Sequence, residues 1–270
     1  MAGQSSLQVW EISMKRALWL WLLAFLMTLL SAAYQRLTGP THPVRGTALI
    51  GGEEISYRLN RSHDIGDQPV RIRVGNPSVS GTLIYRRNQN VDDWTRVAMS
   101  AEQGWLTAFL PHQPPAGKLI YYVQLSAGAE TVRLPAQGEV LTRFKGVVPL
   151  TVLIPHIIIM FAVMLVSSRA GLAALAGSTR LKTYSIWTIA LIIAGGFVMG
   201  PLVQKYAFGA FWTGWPFGTD LTDNKTAIAF LAWIVALGIL HRRPPARWWV
   251  LAAAIITMLI FLIPHSLLGS

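Results

Sequence analysis

The chain has 270 residues, 53% of them hydrophobic and 13% charged, with a mean hydropathy of +0.44. That composition excludes an ordinary soluble domain and indicates an integral membrane protein. The net charge of +11 belongs with lysines and arginines flanking membrane segments, and without zinc-finger spacing or aromatic-basic interleaving no nucleic acid is expected as a partner; the lack of cysteine rules out disulfides, thiolate metal sites, cysteine nucleophiles and thioether haem attachment.

Residues 1–16 read as a cytoplasmic N-terminus ending in Lys15 and Arg16. The apolar run ALWLWLLAFLMTLLSAA follows, and residues 17–34 form the first expected span. Ser31 and Ala33 hold the small-residue positions of a signal-peptidase site. The run is long for a signal peptide, however, and follows a leader, so an uncleaved anchor is expected.

From residue 40 to 145 charges appear and apolar runs shorten. VRIRVGN alternates as a half-buried strand should, and GTLIYRR, WTRVAMS, GWLTAFLP, KLIYYVQLS and ETVRLP follow between turn signals such as GNPS, AEQG and HQPPAG. The expectation is an antiparallel sandwich of about seven strands. Within it, Tyr85, Trp94, Trp105, Tyr121 and Val123, together with PPAGKLIYYVQL, resemble a fibronectin type III or immunoglobulin-like domain over residues 45–136. The resemblance implies a tryptophan in the core and a scaffolding or partner-binding role rather than a reaction. The absence of a disulfide pair suits the fibronectin-like variant. RSHDIGDQP gathers His63, Asp64 and Asp67, residue types able to bind a metal or move a proton, in a segment of ordinary loop composition.

Four more spans are expected, at residues 147–168, 184–203, 226–241 and 248–264, the fourth short enough to need neighbouring residues at both ends. SSRAGLAALAGSTRLK, between the second and third, reads equally as an interfacial helix or as a connector. Basic residues cluster at Lys15 and Arg16, at Arg169, Arg180 and Lys182, and at Arg242, Arg243 and Arg247. With five alternating spans all three groups face the cytoplasm. The expected fold is therefore mixed: a five-span transmembrane α-helical bundle carrying an inserted all-β sandwich, in the cell inner (plasma) membrane. Residues 35–146, residues 204–225 and the C-terminus are expected outside.

The loop 204–225 contains WTGWPFGTDLTDNK, and its Asp220 and Asp223 are the only acids after Glu139. Trp212, Trp215, Pro216 and Gly218 make a stiff aromatic turn, followed by Asn224 and Lys225. Asp223 or Thr222 can cap the next helix, with Lys225 neutralising one acid. His156 lies inside the second span, where an ionisable residue needs a partner or a polar cavity. The topology brings His156, Asp220, Asp223 and His265 to similar depth. Their donors suit a transition metal such as zinc, iron, manganese or copper(II), and His156 is the candidate axial ligand for a haem. No GxSxG, HExxH or triad pattern accompanies them. The functional expectation is an accessory, scaffold or assembly protein whose partner is another membrane or extracytoplasmic protein, besides membrane lipid. The alternatives are a metal- or haem-dependent redox protein and a sensor or transport component.

Overall fold

The computed structural model describes residues 2–88, 93–243 and 246–263, residues 2–13 by their backbone alone. They form two compact units: a helical one, Met1–Gly39 with Pro149–Lys205 and Ala210–Ser270, and a β-rich one, Pro40–Val148 with Tyr206–Gly209.

The helices are α1 Ala2–Thr38, α2 Leu150–Leu175, α3 Leu181–Ile192, α4 Gly200–Phe208, α5 Leu221–Arg242 and α6 Arg247–Leu262. A π-helical segment, Ile193–Met199, joins α3 to α4 without a break. Four stretches are long and apolar enough to cross a membrane: Met14–Thr38, Leu150–Leu175, Leu181–Phe208 and Leu221–Arg242. At about 1.5 Å per residue each exceeds the roughly 30 Å of bilayer hydrocarbon. These are the helices of a membrane protein. The α6 helix is apolar but shorter. The run expected at residues 226–241 sits inside α5, which starts five residues earlier at Leu221.

Small residues bring the helices together, as lipid provides no hydrophobic drive for helices to associate. Ala170, Ala173 and Ala174 of α2 and Ala253 and Ala254 of α6 share one buried cluster. A Cβ on Gly171 would lie 2.8 Å from that of Ala254. Gly195 and Gly196 do the same in the π segment, where added Cβ atoms would meet Ile159 at 2.8 Å and Thr226 at 2.5 Å. Trp233 of α5 is fully buried and donates from Nε1 to Thr257 Oγ1 at 2.8 Å. On α1, Ala24, Thr28 and Ser31 are buried at spacings that place them on one helix face. One turn on, Gln35 Nε2 donates to the Phe261 carbonyl at 2.9 Å. Ser31, the small residue of the possible cleavage site, is thus in a packed helix.

The stretch after the second expected span differs from both readings. The α2 helix continues to Leu175, so Arg169 is inside a helix rather than in a connector. It is 5% exposed, its guanidinium 4.9 Å from the Tyr184 ring and 5.5 Å from that of Trp21, and its Nε and Nη1 have no hydrogen-bond partner among the described residues. Ring faces offset part of the desolvation of a cation but supply no acceptor. Arg169→Met, which keeps the stem and removes the charge, is expected to raise the unfolding midpoint in detergent, by roughly 1 kcal/mol or more of stability. A lowered midpoint would show that the guanidinium is a net stabiliser.

The β-rich unit contains eleven strands among the described residues: β1 Val44–Ile50, β2 Glu53–Leu59, β3 Ser62–His63, β4 Gln68–Arg73, β5 Ser80–Arg87, β6 Thr95–Ala98, β7 Ser100–Glu102, β8 Trp105–Leu110, β9 Lys118–Ala127, β10 Glu130–Leu134 and β11 Val140–Phe144. A hairpin pairs β1 with β2 across Gly51 and Gly52, both at positive φ as a tight two-residue turn requires. A second sheet runs β3-β11-β9-β5-β6, with β10 also on β9, and a third runs β4-β8-β7. All three share one core, to which Ile50 and Ile55, Leu83 and Val123, and Ile72 and Leu106 contribute in turn. The tryptophan implied for this core is elsewhere: Trp105 is 43% exposed and Trp94 stacks outside the core. Tyr121 and Phe144 are the largest side chains in the core.

Tyr121 donates to the Asn60 carbonyl at 2.7 Å, and its burial pushes the hydroxyl well above the ordinary tyrosine value. The folded state therefore holds a proton that the unfolded chain releases near pH 10. This contribution to stability is complete below about pH 10 and falls as pH rises above it. In an alkaline titration followed by tyrosinate absorbance, Tyr121 is expected to ionise only on unfolding.

Candidate functional site

The most specified polar structure in the helical unit is the turn ahead of α5. Asp220 is the N-cap, its Oδ1 accepting from the Thr222 and Asp223 amides at 2.7 and 3.2 Å. The cap is therefore Asp220, not Asp223 or Thr222. Asp223, in the first helical turn, instead points back: its Oδ2 accepts from the Thr213 amide at 2.7 Å and the Gly214 amide at 3.0 Å. Asn224 Oδ1 takes the next amide, that of Trp215, at 2.7 Å. Three consecutive backbone donors are thus held by two adjacent side chains of α5.

Further bonds close the turn. The Thr213 carbonyl accepts from the Asp220 amide at 2.9 Å, and Thr213 Oγ1 accepts from Gln204 Nε2 at 2.6 Å. The Gly214 carbonyl accepts from the Phe217 and Gly218 amides, both at 2.9 Å. A Cβ on Gly218 would run into the Thr213 carbonyl oxygen. Trp212 stacks on Phe197 of the π segment at 5.8 Å and donates from Nε1 to the Trp215 carbonyl at 3.2 Å. The Trp215–Pro216 peptide is cis. The braced turn leaves Trp215 77% and Phe217 83% exposed.

His156 follows Pro155 within α2, and its Nδ1 donates to the Gly195 carbonyl at 3.1 Å. It steadies the π segment, where the helical bonding is irregular. Lys225 is buried and donates from Nζ to the Ile263 carbonyl at 3.0 Å. With Gln35 it satisfies carbonyls left open at the end of α6. A cavity of about 40 Å³ lies between Gln35, Met160, Thr222, Lys225 and Phe261. It has room for about one water.

Of the expected metal set of His156, Asp220, Asp223 and His265, three members are described. His265 lies outside the described residues, and among those described no three His, Asp or Glu side chains group as metal ligands. Asp220 and Asp223 accept backbone amides, and His156 commits Nδ1 to a carbonyl. The described contacts of these three side chains are thus chiefly to backbone groups.

The cluster in RSHDIGDQP is also structural. His63 bonds the Ile65 carbonyl at 2.8 Å, Asp64 accepts from the Ile65 amide, and Asp67 accepts from the His112 amide at 2.8 Å. Sequence reasoning missed three features: Gln204 as a brace, Phe197 as the platform for Trp212, and the burial of Arg169. Only Phe197 left a trace, as the aromatic of GGFVMGP. Comparison with family models, curated proteins and solved structures finds no match to this chain.

Proposed function

We propose that the chain is a multi-pass membrane accessory or scaffold protein that presents an extracytoplasmic β domain to another membrane or extracytoplasmic protein. The observation that carries this reading is the insertion of a β-rich unit with its own core between α1 and α2. α6 supplies a fifth, short span, and Lys15 and Arg16, Arg180 and Lys182, and Arg242, Arg243 and Arg247 keep the N-terminus and the α2–α3 and α5–α6 connections in the cytoplasm. The three sheets on one core support a fibronectin-like sandwich without a core tryptophan. The braced turn, with Trp215 and Phe217 outward, lies at the outer interface, where aromatic side chains are favoured. Asp220, Asp223 and His156 support this reading by holding backbone geometry. α1 is retained as a packed helix of the bundle, with Ser31 on its buried face.

Mild-detergent purification tests the proposal. A protein partner is expected to co-purify with the full chain and to be lost when residues 44–144 are replaced by a flexible linker, while the helices stay inserted. Retention of every partner by that deletion would contradict the role given to the β domain. The mass of the purified chain checks α1: a species beginning after Ala33 would remove it from the bundle.

A further inference from the structure

Where α2 packs on α1 and α3, Arg169 stands against a pair of rings. Its guanidinium is 4.9 Å from the Tyr184 centroid and 5.5 Å from that of Trp21, and the two rings meet edge to face at 6.2 Å. Nε and Nη1 are enclosed without a hydrogen-bond partner among the described residues, whereas Nη2 is not enclosed. Arg16 Nη2 donates to the Ala176 carbonyl at 3.4 Å, which sets the basic residues of α1 beside the end of α2. Arg169 is seven residues, about 10 Å of helix, in from that level. Arg180 and Lys182 stand at the start of α3.

Acids are scarce around this cation. The sequence has none between Glu139 and Asp220, and before Glu53 it has only Glu11. Glu11 lies ten positions, about 15 Å of helix, from Trp21 and beyond Arg16. Asp220 and Asp223 are committed to amides in the turn before α5. Water can bond an N–H but cannot neutralise a charge, and an ionisable group inside a membrane segment is costly unless it meets a partner. Counted from Leu150, the roughly 30 Å of bilayer hydrocarbon ends about twenty residues along α2, next to Arg169. The anions found at that depth are lipid phosphates.

We propose that Arg169 binds the phosphate of an anionic phospholipid seated against α1, α2 and α3. The proposal needs only that the helices cross a membrane and is independent of the accessory role. A phosphate oxygen meets the guanidinium at Nη2 in a charge-assisted hydrogen bond, and its charge offsets a cation that the rings stabilise only in part. The indole of Trp21 and the phenol of Tyr184 suit the headgroup boundary, where one end of the ring is apolar and the other wet. Lys15, Arg16, Arg180 and Lys182 favour a headgroup with net negative charge over a zwitterionic one.

The test takes the full chain, delipidated in a neutral detergent, and adds phosphatidylglycerol, phosphatidylcholine or inorganic phosphate. The readouts are the unfolding midpoint and native mass spectrometry. Without lipid, Arg169→Met is expected to unfold at the higher temperature. Phosphatidylglycerol should raise the midpoint of the unchanged protein by several degrees, reverse that order, and leave one lipid bound per chain. Its affinity should fall about tenfold or more in Arg169→Met, fall less in Arg169→Lys, and hold in Arg242→Gln/Arg243→Gln at the other basic connection. Phosphatidylcholine and inorganic phosphate should shift the midpoint little. Equal affinity in Arg169→Met, or an equal shift with phosphatidylcholine, would overturn the proposal. The same shift from inorganic phosphate would give the site to a free anion and overturn it too. A co-purifying protein that needs Arg169 and excludes the lipid would assign the guanidinium to a partner's carboxylate, with the same consequence. A partner lost with the β domain but retained by Arg169→Met leaves the two questions separate.

Discussion

Asp223→Ala is expected to open the turn before α5 and to lower the unfolding midpoint of the purified protein. One carboxylate oxygen holds the amides of both Thr213 and Gly214. Hydrogen bonds to a charged acceptor contribute about 1.5–3 kcal/mol each, and water can take over part of that where the turn is exposed. A net loss of about 3 kcal/mol follows from the two bonds. Asp223→Asn keeps an acceptor and loses the charge, so it should cost roughly half as much. Asp220→Ala removes only a helix cap, at about 1 kcal/mol. Hydrogen exchange of the peptide covering residues 212–218 reports the change directly. Exchange there should accelerate strongly in Asp223→Ala and little in Asp220→Ala; unchanged exchange in Asp223→Ala would mean that the turn does not depend on this side chain.

Trp233→Ala should be the most damaging single change in the helical unit. The side chain is fully buried within the cluster that α2, α3, α5 and α6 share. Truncating a buried tryptophan costs about 3–5 kcal/mol, most of it lost packing. Thr257 keeps its own bond to the Ala253 carbonyl at 2.8 Å, so no orphaned hydroxyl adds to the cost. Trp233→Phe should lose the indole bond and some volume, at about 1–2 kcal/mol. Thermal unfolding in one detergent compares the two. Equal midpoints for Trp233→Ala and the unchanged protein would show that the cluster closes around the gap.

Features set by neighbours along the chain were legible in the sequence. The apolar runs marked the long helices because length against bilayer thickness is a one-dimensional property. The strand around Val70 and Ile72 was visible in its alternation, and β4 buries those residues while exposing Arg71 and Arg73. Features set by distant contacts were not. Arg169 reads as a connector charge until Trp21 and Tyr184, from two other helices, are seen to enclose it. Asp223 reads as a cap and ligand candidate, and Asn224 as a mere loop residue, because nothing in DLTDNK reveals amides ten and nine positions upstream turning back to meet them. The π segment is hidden for the same reason. Its glycines announce a close approach, but Ile159 and Thr226, which make it, are far apart in sequence. Trp94 shows the converse: a tryptophan in a strand-rich segment suggests a core, whereas the side chain lies between Arg86 and Tyr122.

The external β domain requires opposite sidedness of the braced turn and the α2–α3 connection, and the absence of cysteine lets each introduced thiol report alone. The decisive measurement is labelling of intact cells with a membrane-impermeant maleimide, using Ala129→Cys in the β9–β10 turn, Phe217→Cys in the braced turn and Thr179→Cys between α2 and α3. The first two are expected to react in intact cells, and Thr179→Cys only after permeabilisation. Reaction of Phe217→Cys and Thr179→Cys from the same side would contradict the topology and, with it, the external β domain.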